Sequence, residues 1–177
     1  ASDVYKRQAV DLEELGPIAL NVDCDILNAD GGTRCASITA ANLALRLGVR
    51  RLIAAGVCLP KNMRPTEEQR RSGWSPPVLS EEEQMAHEMR VMEHDVAAIS
   101  VGLIDGKSYL DLDYNLDSNA DVDMNVVKVS NGAFVEVQGT GEESTYQRAE
   151  LDALLDMADI GFEALFEMQK SILHGQQ

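Results

Sequence analysis

Between residues 20 and 56 the spacing of apolar positions changes once. Leu20, Val22, Cys24 and Ile26 alternate with Asn21, Asp23 and Asp25, a period of two that predicts a strand. Past Asp30, Gly31 and Gly32 the apolar positions Ile38, Ala41, Leu45, Val49 and Leu52 recur at steps of three and four. That spacing predicts a helix, with Gly56 as its stop. Residues 57–80 hold Pro60, Pro65, Pro76, Pro77 and Gly73, which break any long element and predict a loop-rich excursion. Residues 81–95 are strong helix formers with weak amphipathicity and predict a further helix.

The apolar run VAAISVGLID at 96–105 has strand length and ends on the turn pair Asp105-Gly106, which predicts a hairpin into SYLDL. Strands around 122–129 and 134–137 flank Asn131-Gly132 and predict a second hairpin. Leu151, Leu154, Leu155, Ala158, Phe162, Leu165, Phe166 and Ile172 mark one face of a long C-terminal helix. The expected class is α+β, a mostly antiparallel or mixed sheet with helices packed on one side.

A chain of 177 residues with 45% hydrophobic content can bury one sizeable core, so a single domain is expected. No apolar run approaches the length of a membrane span and no signal peptide is recognised, so a soluble, cytoplasmic protein with no membrane partner is expected. Cys24, Cys35 and Cys58 are an odd count without metal-ligand spacing and read as buried thiols. His87 and His94 lack an HExxH pattern and read as solvent-facing.

The net charge of −15 argues against nucleic acid, but its distribution is uneven. Arg46, Arg50, Arg51, Lys61, Arg64, Arg70 and Arg71 face only Glu67 and Glu68 between residues 46 and 71, whereas acids outnumber bases by more than three to one after residue 100. The basic segment is either a solvated surface or a guide for RNA.

Two constellations carry candidate chemistry. DLDYNLDSNADVDMN at 111–125 concentrates aspartates, and a calcium loop begun at Asp111 fails because Leu116 and Val122 fall where glycine and glutamate are needed. In a strand, Asp121, Asp123 and Asn125 share a face. Carboxylates about 4 Å apart repel by about 4 kcal/mol at an effective dielectric near 20, which leaves a Mg²⁺ or Mn²⁺ site or an exposed acidic edge. In DGGTRCASIT at 30–39, a glycine pair enters a helix with Arg34 beside it. That is either a tight turn or an anion site built from helix N–H groups and a guanidinium.

VDCDILNADGGTRCASITAA, AAISVGLIDGKSYLDLDYNLDSNADVDMNVVKVSNGAFVEVQGTGEE and ELDALLDMADIGFEALFEMQ together resemble the ribonuclease PH family of phosphorolytic exoribonucleases. The GGTR, VDMNVV and EVQGT segments carry the likeness, which runs over residues 9–177 as a partial domain. The resemblance implies the ribonuclease PH-like fold, also called ribosomal protein S5 domain 2-like. It implies phosphate held by Gly32, Thr33 and Arg34, catalytic acids at Asp117 and Asp123, and Mg²⁺ or Mn²⁺ held by the same two aspartates. The activity so implied is phosphate-dependent 3′→5′ trimming of tRNA precursors with release of nucleoside 5′-diphosphates, with RNA and inorganic phosphate as partners and a homo-oligomeric ring of six. The other class is a non-catalytic RNA-binding ring subunit of the exosome type, or an inactive fragment. Relative to the family, residues 1–8 form an unrelated leader, the N-terminal part is missing, residues 50–95 are longer than usual, and Leu116 replaces an acid. Weak or no activity is expected of the chain as written.

Overall fold

The computed structural model describes residues 9–141 and 144–175; the leader at 1–8 lies outside the described residues. The chain divides into two compact units, one built from residues up to Val22 and from Ala44–His94, the other from Asp23–Leu43 and residues from Asp95 onward.

In the first unit a short helix α1 (Leu12–Leu15) starts at Asp11, whose carboxylate accepts from the Glu13 and Glu14 amides, two donors that a helix start leaves without partners. Helix α2 (Thr33–Ala54) runs from the second unit into the first and stops before Gly56 at φ 68°, as its spacing predicts. The excursion at 57–80 is irregular as expected, except for a 3-10 turn (Lys61–Met63) and a five-residue helix α3 (Glu67–Arg71) closed by a Thr66/Gln69 capping box. Helix α4 (Glu81–Val91) begins with a second capping box, Ser80/Glu83.

One expectation fails in this unit. His87 is fully buried instead of solvent-facing: its Nε2 lies 3.5 Å from the buried Cys58 sulfur and its Nδ1 lies 3.9 Å from Glu14 Oε2. A lone histidine on a weakly amphipathic helix gives no sign of which turn meets the neighbouring elements. The basic segment is partly tied within the fold and partly surface, as the solvated alternative has it. Arg46 and Arg50 both bond Glu88, Lys61 pairs with Glu13 and Glu14, Arg71 pairs with Glu67, and Arg64 donates to the Leu59, Glu13 and Glu14 carbonyls. Arg51 and Arg70 are exposed.

The expected strand over residues 20–26 is absent. Residues 17–30 carry no regular structure, and Cys24 and Ile26 are exposed. Alternation alone makes no strand; the backbone groups need a neighbouring strand to bond, and none of the described residues supplies one. Cys24 therefore departs from the buried-thiol expectation, which Cys35 and Cys58 meet.

The second unit is a four-stranded antiparallel sheet in the order β2-β1-β3-β4, with β1 (Val96–Ile104), β2 (Lys107–Leu110), β3 (Val122–Val129) and β4 (Phe134–Gly141). A one-turn helix α5 (Tyr114–Asp117) lies between β2 and β3, and α6 (Arg148–His174) ends the chain. Both hairpins form. Asp105 and Gly106 have φ of 50° and 71°, the left-handed pair that a two-residue turn matched to strand twist requires. Strand β4 extends beyond the expected 134–137.

Alternation sorts the sheet into two faces. Ala97, Ile99, Val101 and Leu103 of β1 join Val122, Met124 and Val126 of β3 in a core against Leu154, Ala158 and Phe162 of α6. Each large apolar side chain so buried contributes about 1.5–3 kcal/mol. Gly161 lets α6 approach closely, because a Cβ there would run into the tips of Ile99 and Leu110. The opposite face carries Ala98, Ser100 and Gly102 of β1 and Asp123 and Asn125 of β3, and it meets the first half of α2: Thr39 Oγ1 accepts from the Ala98 amide at 3.0 Å.

Candidate active site

The site grows from register. Ser100 stands opposite Asn125, and Asn125 opposite Gln138; on the other side the Asp111 amide donates to the Ser100 carbonyl at 2.8 Å. Asp111, just past the end of β2, therefore forms a polar row with Ser100 of β1, Asn125 of β3 and Gln138 of β4. The next row along the same face holds Gly102, Asp123 and Thr140. Small side chains on β1 keep this face open to groups arriving from α2.

What arrives is the first turn of α2. Gly31 and Gly32 have φ of 77° and 56°, conformations that side chains with a Cβ adopt only at a cost. A Cβ on Gly31 would collide with the Leu112 carbonyl, while the Cβ position of Gly32 lies 4.0 Å from Asp111 Oδ1 and from Ser100 Cβ. Asp30 Oδ1 accepts from the Tyr114 amide at 3.1 Å, tying the glycine turn to the segment before α5. Asp111 itself has φ of 56°, an uncommon conformation for a residue other than glycine.

Arg34 lies on the same face, with Nη1 donating to Gln138 Oε1 at 2.9 Å and Nη2 donating to Glu136 Oε1 at 2.7 Å. Beside it, the buried Cys35 thiol donates to Asn125 Oδ1 at 2.8 Å. Burial pushes the Cys35 thiol up to about 12; Arg34 pulls it down, and Asp123, Asp111 and Glu136 push it up. Those four charges thus surround one thiol, which stays protonated and un-nucleophilic at neutral pH.

Gly32, Arg34 and Asp123 from the sequence reading therefore lie at one face, and Thr33 stands between the first two at the start of α2. Asp117 does not share these contacts. It closes α5, is exposed, and its side chain makes no hydrogen bond or ion pair among the described residues. Asp121, expected beside Asp123, instead accepts from the Asp105 amide at 2.8 Å through Oδ2. Asp111, Cys35, Glu136 and Gln138 were missed as site residues. Of these, Glu136 and Gln138 lie two apart in the quoted EVQGT segment, and that spacing on a strand was the available signal.

Among the described residues no three His, Cys, Asp or Glu groups converge as a metal site. Carboxylate oxygen, which Asp117 and Asp123 each offer, is the hard donor type that Mg²⁺ and Mn²⁺ take. No helix among the described residues is long and apolar enough to cross a membrane.

Residues 94–161 match the model of the 3′ exoribonuclease family, domain 2. Over 167 residues, 94% of the chain, it is 44% identical to Ribonuclease PH of Corynebacterium efficiens, and equally to Ribonuclease PH of Corynebacterium glutamicum (strain R). The chain spans 56% of the length of each of these relatives. The crystal structure of rice (Oryza sativa) Rrp46 is similar with a TM-score of 0.43 and 11% identity, over 51% of this chain and 43% of that one.

Proposed function

We propose that this chain carries the phosphate-binding and acidic parts of a phosphate-dependent 3′→5′ exoribonuclease, one that trims the 3′ ends of tRNA precursors and releases nucleoside 5′-diphosphates. The observation that carries the reading is the meeting of the Gly32–Thr33–Arg34 turn with the Asp111, Asn125 and Asp123 face, because Arg34 and Gln138 bond across 104 positions of chain. Helix-start amides and a guanidinium suit a phosphate; carboxylates beside them suit the cation that a phosphoryl group brings.

In this reading inorganic phosphate rests on Gly32, Thr33 and Arg34, and one of its oxygens attacks the phosphorus of the last phosphodiester. A new P–O bond forms, the bond to the penultimate 3′-oxygen breaks, and that oxygen leaves as a hydroxyl after taking a proton. Phosphate is already ionised at neutral pH, so positioning carries the chemistry and no base is required. Asp117 and Asp123 would hold Mg²⁺ or Mn²⁺, which when bound neutralises charge on the phosphoryl group and the leaving oxygen. Cys35 is no nucleophile, since burial keeps its thiol protonated.

The partners proposed are RNA and further copies of the chain in a ring of six. Of the bases at residues 46–71, the exposed Arg51, Arg70 and Arg71 are the ones assigned to RNA.

The test is nucleoside diphosphate release from a 3′-tailed tRNA precursor with Mg²⁺, with and without inorganic phosphate. Weak or no release from the chain as written, and release that requires phosphate and disappears in Asp123→Asn once a family-like N-terminal segment is joined to it, is the expected result. Phosphate-independent nucleoside monophosphate release, or activity retained in Asp123→Asn, would overturn it.

A further inference from the structure

The EVQ stretch of β4 has no part in the mechanism above, yet two of its side chains hold the residue assigned to phosphate. We propose that Glu136 and Gln138 are positioning residues that clamp the Arg34 guanidinium before an anion arrives, an inference that rests on Arg34 being the phosphate ligand.

The geometry is that of a two-point hold. Arg34 Nη2 meets Glu136 Oε1 at 2.7 Å and Arg34 Nη1 meets Gln138 Oε1 at 2.9 Å. A single contact leaves a planar guanidinium able to pivot about it, whereas acceptors on two different nitrogens fix the tilt of the plane. The acceptors are themselves fixed. Glu136 and Gln138 are two apart on one strand, so they point the same way, about 7 Å apart along it. Glu136 is registered opposite Val127 and Gln138 opposite Asn125. Asn125 in turn accepts from Cys35, the residue after Arg34. Helix α2 is thus joined to β4 at Arg34 and to β3 at the next residue, Cys35.

The clamp matters because Arg34 is a long side chain with about a third of its surface in water. An arginine in that position has many rotamers, and each one lost on binding an anion weakens binding. Fixing the fork in advance moves that cost out of the binding step. Lysine could not be held this way, since an ammonium has no plane to orient.

The test follows the guanidinium directly in the 177-residue chain. Nitrogen and carbon NMR of the arginine side chains is recorded for the wild type, Glu136→Ala, Glu136→Gln and Gln138→Ala, with Arg34 identified by its loss in Arg34→Lys. The wild type is expected to show distinct, slowly exchanging Nη signals for Arg34. They should collapse in Glu136→Ala, partly in Gln138→Ala, and persist in Glu136→Gln, which keeps an oxygen acceptor. Titration with inorganic phosphate should weaken about tenfold in Glu136→Ala and stay within about threefold of wild type in Glu136→Gln.

Unaltered Arg34 signals in both alanine variants would overturn the clamp. Tighter phosphate binding in both Glu136 variants would also overturn it, since the carboxylate would then be a competitor of the anion. A clamp that loosens as expected in a chain that binds no phosphate would support the clamp while overturning the assignment of Arg34 to phosphate.

Discussion

Arg34 and Arg46 stand on one helix, and each is bonded to a glutamate, yet the two pairs are built for different ends. Arg46 is buried, bonds Glu88 at 3.0 Å and the Met92 carbonyl at 2.9 Å, and shares Glu88 with Arg50. Arg34 stands partly in water, and its partner Glu136 comes from a strand whose face is lined with carboxylates and amides. Burial makes the first pair a matter of stability, because a charge stripped of water and then of its partner has nowhere to go. Exposure makes the second a matter of availability, because its Coulomb attraction is screened. Charge type and helix position in the sequence do not separate the two; only the surroundings do.

The comparison breaks first at Glu88. Glu88→Ala removes the carboxylate shared by Arg46 and Arg50 and should cost about 3–5 kcal/mol, read as a drop in the urea midpoint. A loss no greater than that of Arg34→Ala would show that the two pairs are equivalent after all. At the site end, Gly31→Ala should cost about 2–3 kcal/mol, combining a left-handed backbone with a collision against the Leu112 carbonyl. Its structural check is loss of the Asp30–Tyr114 bond, visible as faster hydrogen exchange of the Tyr114 amide.

His87 sharpens the buried end. Its pKa is lowered from the ordinary 6.5, chiefly by burial and then by Arg90. The unfolded chain therefore binds the proton more readily than the folded one, and stability falls as pH drops through about 6.5 toward the lowered folded value. The difference in urea midpoint between pH 7.5 and pH 5.5 should exceed that of His87→Gln. An equal pH response in the variant would remove His87 as the cause. The smallest effect belongs to Arg34→Ala, which should change stability by less than about 1 kcal/mol while removing phosphate-dependent release of nucleoside diphosphate from the chain joined to a family-like N-terminal segment.

Local periodicity made most of the fold legible. Helix α2, both hairpins and α6 were all written in spacing and turn residues that act within a few positions. The strand over residues 20–26 was misread because alternation says nothing about whether a partner strand is present. His87 was misread because which face of α4 is covered depends on Glu14 and Cys58, both distant in sequence. The site divides in the same way. Gly32, Thr33, Arg34 and Asp123 sit in motifs. Asp111, Cys35, Glu136 and Gln138 join them only through strand register and through a helix laid across the sheet, and neither is a property of any short stretch.

The three thiols form a graded set of clocks. Cys24 is exposed, so an alkylating reagent reaches it without any opening of the chain. Cys35 lies buried within the second unit and Cys58 within the first, and each gains its mass tag only when its own surroundings open. One time course in a mass spectrometer thus reads the opening of the two units separately, with no label engineered into the protein.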